Sequence, residues 1–304
     1  MPSGRILLFI TLGVLGAIYL SRWIANVSAQ RRAASGADQD SGWPSVFENA
    51  VGFVTNFFDT LGIGSFAPTT TIFKLRNVVP DEHIPGTLHV GHTPPVIIQA
   101  FIFIAIVQVD MTTLATLIGG SVLGAWLGAG VVARWPRRRI QVGMGIALLI
   151  AATTFVAANL GVFPVGGTAL GLRGAALAIG VTGTFVLGAM MTIGIGIYAP
   201  CMIMISLLGM NPTAAFPIMM GSAAFLMPVA SVRFLRANAY SLRPAIGLAL
   251  GGLPAVLIAA FIVKSLPLTA MRWLVVIVVF YAAVAMLRSA YLEHGVDSKT
   301  RLAE

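Results

Sequence analysis

Hydrophobic and polar positions alternate along this chain in long blocks. Apolar stretches lie at about 6–26, 46–75, 84–107, 112–133, 139–160, 174–208, 214–235, 243–263 and 270–290, with short polar breaks between them. Most are about 20 residues long, the length a helix needs to cross roughly 30 Å of hydrocarbon. The text "VSAQRRAASGADQDSGWPS" over 27–45 reads as a surface linker, "GVFPVGGTALGLR" over 161–173 as a connecting loop, and 291–304 as a charged tail. Two stretches, 46–75 and 174–208, are too long for one crossing.

Each overlong stretch carries the same phrase. "TLGIGSFAP" at 60–68 recurs as "TIGIGIYAP" at 192–200, with Thr, Gly, Gly, Ala and Pro in register. Such an echo marks an internal repeat. A loop follows in both places, then an apolar helix containing Gly91 or Gly221, then two further helices. The expected organisation is an N-terminal transmembrane helix and linker (1–45), repeat 1 (46–160), a connecting loop (161–173), repeat 2 (174–290) and a tail (291–304).

Charge decides how the long stretches are threaded. If all nine cross, lysines and arginines divide nine against ten, which gives no orientation. If 46–75 and 174–208 are re-entrant hairpins with GIG at their tips, they divide fifteen against four, as expected where basic loops stay in the cytoplasm. Hairpins are therefore predicted. Each repeat then makes three crossings, an odd number, so the second is inverted and the two tips are expected near the midplane from opposite faces. The predicted fold is an all-α polytopic membrane protein with seven full crossings, N-terminus outside and C-terminus cytoplasmic, in the cell (inner) membrane.

Composition agrees. The 304 residues are 58% hydrophobic and 10% charged, far from a water-soluble domain. A net charge of +9 is read as basic loops touching anionic lipid headgroups rather than nucleic acid, since no interleaving of aromatic and basic residues appears. A lone cysteine excludes an internal disulfide, and no CxxC or HExxH spacing points to a metal, so no cofactor is expected. Residues 6–20 with "VSA" at 27–29 resemble a signal peptide, but Arg22 and Trp23 interrupt it, and an uncleaved first helix is expected.

Broken backbone at membrane depth needs protein or a watery cavity around it. Gly62, Gly64, Gly194 and Gly196 permit tight reversal and leave backbone open to a ligand, and Pro68 and Pro200 suit the first position of a returning half-helix. Each tip is then a helix N-terminus, an anion site by its free N–H groups and partial positive charge. Ser65, Thr69 and Thr70 in the first unit, and Tyr198 and Cys201 in the second, supply donors. The expected partner is a small anion, with membrane lipids around the protein; the oligomeric state is open, a homodimer included.

Asp59 is the carboxylate deepest inside an apolar stretch, with Met191 as its counterpart. A group so placed is expensive and usually functional. It could carry a coupling proton, or act as a fixed acceptor for tip N–H groups or an ion partner for Lys74. His89 and His92, three apart on one helix face, could pass protons or contact substrate. His89 is assigned to proton coupling, His92 and Ser222 to substrate contact, with Met219 and Ser222 as the histidines' repeat partners.

Two glycine-rich hairpins, each followed by three helices, resemble the sulfite exporter TauE/SafE family of membrane permeases over roughly 46–290, on "GIGSFAP" and "GIGIYAP". The resemblance implies transport of sulfite, organosulfonates or small carboxylates. Members often carry G-x-G-G-G here, where this chain has Ser65 and Ile197. Two other classes fit less well: an anion channel, and an intramembrane hydrolase with Ser65 as nucleophile and His89 or His92 as base, for which no third orienting group is evident.

Overall fold

The computed structural model describes residues 2–33, 42–132, 137–160, 167–191 and 197–301. Among these there is no β-strand, only an isolated bridge between Ala169 and Met210. Eleven α-helices are described: α1 Pro2–Ala33, α2 Val46–Thr60, α3 Phe66–Leu75, α4 Ile84–Ile106, α5 Met111–Val132, α6 Arg137–Asn159, α7 Gly174–Met191, α8 Tyr198–Leu207, α9 Ala215–Ala237, α10 Leu242–Ser265 and α11 Leu268–Arg301. Among the described residues, five spans are long and apolar enough to cross a membrane: Gly4–Arg32, Ile84–Ile106, Gly174–Met191, Pro212–Ala237 and Leu242–Ser265. Shorter apolar helices lie at Met111–Leu127, Gln141–Ile150, Tyr198–Leu207 and Trp273–Arg288. The protein is therefore an all-α, membrane-embedded chain. α1 runs unbroken through the "VSA" at 27–29.

The chain forms two compact units, Met1–Met111 with Met220–Ser265, and Thr112–Met219 with Leu266–Glu304. They interleave the sequence halves, each combining the hairpin of one half with helices of the other.

In the first unit, the chain reverses between α2 and α3. α2 starts with a capping box, in which the Ser45 hydroxyl accepts from the Glu48 N–H and Glu48 returns to the Ser45 N–H. It ends in a Schellman turn: Gly62, at φ +96°, donates to the Asp59 carbonyl and Ile63 to that of Phe58. That turn sends α3 back. Arg76, just past α3, lies 5.5 Å over the ring of Phe47 at the start of α2, and Val51 shares an apolar cluster with Phe73 and Val79. A helix running straight on would hold these groups more than 30 Å apart.

α2 lies backbone to backbone on α10. A Cβ at Gly52 would meet the Gly247 carbonyl and Leu248 backbone, and one at Gly251 would strike the carbonyl of Asn49. Small residues permit this approach in a setting where no hydrophobic effect drives helices together. The Arg243 Nε to Glu48 Oε2 ion pair, 3.0 Å, closes the same seam at one end.

In the second unit, α7 lies on α5 in the same manner, with Gly124 against the backbone of Phe185 and Gly188 against that of Ser121. α8 also turns back: Ala169 N–H donates to the Gly209 carbonyl at 3.3 Å and Asn211 N–H to the Ala169 carbonyl at 2.8 Å, joining the exit of α8 to the entrance of α7.

The returning arms match bond for bond. Thr69 N–H to Ser65 carbonyl has its counterpart in Cys201 to Ile197, Arg76 to Ile72 in Leu208 to Met204, and Val78 to Phe73 in Met210 to Ile205. Asn77 (φ +49°) and Gly209 (φ +85°) take the same left-handed position. This register continues through Ile84-Pro85 and Phe216-Pro217. It sets Gly221 and Ala224 opposite His89 and His92, correcting the expected pairing with Met219 and Ser222, which aligned Gly91 with Gly221 instead of the prolines.

Candidate functional site

The tip of the first hairpin is built from buried polar side chains on α2, α3 and α4. Asn56, Asp59, Thr60, Ser65, Thr69, His92, Thr93 and Gln99 are all buried, so each must find partners within the protein. Gln99 Nε2 donates to Asp59 Oδ2 and to Thr60 Oγ1, both at 2.9 Å. Thr60 Oγ1 donates to the Asn56 carbonyl at 2.7 Å. His92 Nδ1 lies 3.1 Å from Asn56 Oδ1, and His92 Nε2 lies 3.1 Å from Thr69 Oγ1. Thr69 Oγ1 is 2.7 Å from the Ser65 carbonyl. The Asp59 carboxylate lies beside the Ser65 hydroxyl and backbone N–H. The result is a run of hydrogen bonds from Asp59 to the Ser65 carbonyl, a ring of buried polar groups around the chain reversal.

The backbone explains why Asp59 reaches Ser65. Gly62 and Gly64, at φ +96° and +90°, fold the five residues between α2 and α3 so tightly that the last turn of α2 faces the first N–H groups of α3. An added Cβ at Gly64 would meet nothing within 4 Å, so that side of the loop is open.

Several expected residues stand differently. Pro68 and Pro200 occupy the third position of α3 and α8, not the first, because the helices begin at Phe66 and Tyr198. A proline fits there equally well, its missing N–H being one that has no helical partner. The first-turn N–H groups of α3 without an intrahelical acceptor include those of Phe66 and Ala67. The hydroxyls of Ser65 and Thr69, expected to face a solute, lie inside the ring. Thr70 is half-buried and Ser222 buried. Lys74 lies in the last turn of α3, at the opposite end from Asp59. Asp59 accepts the Gln99 side-chain amide at the tip.

His89 is turned away. Its Nδ1 meets the Pro85 carbonyl at 2.8 Å, and its ring packs edge-on to Phe66, 4.9 Å between centroids, and beside Phe234 at 5.3 Å. Ser65 bonds no histidine among the described residues, so the Ser–His dyad is not formed in this state. In the second unit Tyr198 and Cys201 are buried on α8, while Gly194 and Gly196 lie outside the described residues.

The sequence reading missed Asn56, Thr60, Gln99 and the Thr93–Ser231 contact, 2.9 Å between hydroxyl oxygens. A signal was present. Asn56 and Gln99 are amides inside apolar stretches, as costly to bury as the histidines that were noticed.

α4 is itself interrupted beside this ring. Pro94 and Pro95 sit mid-helix and deprive the carbonyls of Val90 and Gly91 of their helical donors. Tyr19 of α1 supplies one, donating to the Val90 carbonyl at 2.7 Å. Comparison of the chain with family models, curated proteins and solved structures finds no match.

Proposed function

We propose that this protein is a secondary transporter for a small anion, such as sulfite, an organosulfonate or a small carboxylate, taken at the N-terminus of a returning half-helix and coupled to protons through Asp59. One observation carries the reading. The start of α3 already has an anionic group beside it, because the buried Asp59 carboxylate lies next to Ser65, the residue that caps the helix. A half-helix N-terminus at a chain break attracts negative charge, and here the protein's own carboxylate fills that role. A solute anion competes with Asp59 for the same donors. Protonating Asp59 weakens its hold on them, so proton arrival and anion arrival favour each other.

The finer architecture belongs to the same proposal: two inverted repeats with re-entrant hairpins, N-terminus outside and C-terminus cytoplasmic in the cell membrane. It is supported by the fifteen-to-four division of basic residues and by the matched hydrogen bonds of the returning arms. The use of donors without a fixed lysine suits a carrier that must also release its cargo.

The test is a thermal-shift screen of the purified protein with sulfite, sulfate, thiosulfate, sulfoacetate, lactate and pyruvate, followed by counterflow in proteoliposomes with and without a pH gradient. Stabilisation by one of these anions together with gradient-driven counterflow is the expected result. Passive unitary currents would instead mark a channel, and turnover without flux an enzyme.

A further inference from the structure

Gln99 reaches the hairpin tip from the second half of α4 with only one end of its amide engaged. The nitrogen donates to Asp59 Oδ2 and to Thr60 Oγ1, both at 2.9 Å. The oxygen, Oε1, is buried and meets no hydrogen-bond partner among the described residues. The whole side chain is enclosed, so a hydrogen bond left unmade there is costly.

Asp59 imposes this arrangement. An ionised carboxylate only accepts, so the Gln99 nitrogen has to face it and the oxygen is carried round to the side without donors. Thr60 imposes nothing. Its hydroxyl donates to the Asn56 carbonyl at 2.7 Å, but that carbonyl is the one α2 itself pairs with the Thr60 N–H, so the hydroxyl hydrogen is free to turn to Gln99.

A proton on Asp59 reverses the demand. Oδ2–H is a donor, and it faces an amide nitrogen that has only hydrogens to offer. Half a turn of the terminal amide torsion, which has two broad wells, puts Oε1 between Asp59 Oδ2 and Thr60 Oγ1, where it accepts from both. The bare oxygen is then satisfied. The nitrogen takes the place that Oε1 held, with two hydrogens and no acceptor among the described residues. An oxyanion supplies acceptors for such a pair of N–H groups, whereas a cation does not.

From this geometry we infer that Gln99 is an anion-binding residue of the transport site, gated by the proton on Asp59. Its amide turns nitrogen to the ionised carboxylate and oxygen to the protonated one, and only the second state offers N–H groups to a solute oxyanion. The proton comes from water and forms an O–H bond on Asp59 Oδ2; no other covalent bond changes. The inference rests on the transport reading and supplies the step by which proton and anion arrive together. A lysine in the same place would hold the anion in both states.

The charged and titratable groups on the elements packed around this pair are few. α2 carries Glu48, engaged by Arg243 of α10, and α3 carries Lys74 in its last turn, at the opposite end from Asp59. Glu82 and His83 lie in the turn before α4. α4 carries His89, and His92, which joins the cluster through Asn56 at 3.1 Å. α1 brings Tyr19 and the exposed Arg22, α9 the exposed Arg233 and Arg236, and α10 the exposed Lys264. His92 is therefore the titratable neighbour to control for.

The experiment is infrared difference spectroscopy, acid minus neutral, of the full chain in lipid films with ¹³C-labelled glutamine. Gln99→Leu and Gln99→Asn, whichever inserts, identify the Gln99 carbonyl band, and Asp59→Asn identifies the carboxyl band. At neutral pH without substrate, Gln99 is expected to show the high-frequency carbonyl of an unbonded amide. Acidification should bring up the protonated Asp59 band and lower the Gln99 frequency with the same midpoint, in wild type and in His92→Gln alike. Sulfite at neutral pH should drive the same pair of changes. A Gln99 carbonyl already hydrogen-bonded at neutral pH, or one that stays put while Asp59 takes its proton, would overturn the inference. If counterflow shows sulfite carried while sulfite leaves the Gln99 band unmoved, the anion-binding role fails and the transport reading stands. If acid turns the amide but no anion of the screen is carried, the transport reading fails and the proton-driven turn stands.

Discussion

The Tyr19 hydroxyl donates to the carbonyl of Val90 at 2.7 Å, and Val90 is the residue whose helical donor Pro94 removes. One side chain on α1 thus repairs a break in α4, two residues from His92. Tyr19 is fully buried, so the bond has no water to replace it.

Removing that donor should leave a buried carbonyl unsatisfied. Tyr19→Phe is expected to destabilise the protein by about 1–3 kcal/mol, read as a fall in thermal unfolding midpoint in detergent. Pro94→Ala restores the intrahelical N–H, so the double variant should lose less than the sum of the two single changes. Strict additivity would show that the two residues do not share this carbonyl.

Gly64 tests backbone against space. Its φ of +90° is strained for any side chain, yet an added Cβ meets nothing. Gly64→Ala is expected to cost about 1–2 kcal/mol from the left-handed conformation alone. Gly64→Leu should insert normally but lose anion stabilisation in the thermal-shift assay, because its side chain fills the open side of the tip. Unchanged affinity in Gly64→Leu removes the tip as the binding place.

The α2–α10 seam should tolerate no added bulk. Gly251→Ala drives a methyl against the Asn49 carbonyl and is expected to cost about 1–3 kcal/mol or more. Gly143→Ala, where nothing lies within 4 Å, should be neutral or gain up to about 1 kcal/mol in helix preference. Equal midpoints for the two variants would contradict the close approach.

Asp59→Asn separates bracing from coupling. Asparagine can still accept from Gln99, but it has no carboxylate to gain and lose a proton. Folded protein whose anion flux no longer responds to a pH gradient is the expected outcome. A flux profile identical to wild type would leave Asp59 with its structural role alone.

The first hairpin was legible because its determinants are local. Gly62, Gly64 and the abrupt polarity of "DTLGIGS" break an apolar stretch at its middle, and the charge count requires the chain to return. The Schellman turn at Gly62 and the return of Arg76 to Phe47 follow from those signals. The site was legible in part. Asp59, Ser65, Thr69 and His92 were singled out by cost, since each is a polar group where hydrocarbon is expected. Their mutual bonds were not, and neither were Asn56 and Gln99, which complete the ring.

Sequence alone determined that this chain is helical and membrane-embedded and where its first overlong stretch breaks, because burial of peptide groups in lipid leaves helices as the only economical local structure. Which groups meet across that break was decided by tertiary packing. Glycine faces let α2 press onto α10 and α7 onto α5, and the packing of α2 and α3 against α4 brings a carboxylate, two amides and an imidazole from distant positions into one hydrogen-bonded cluster. Local spacing carries no record of such contacts, because they depend on which helix lies against which.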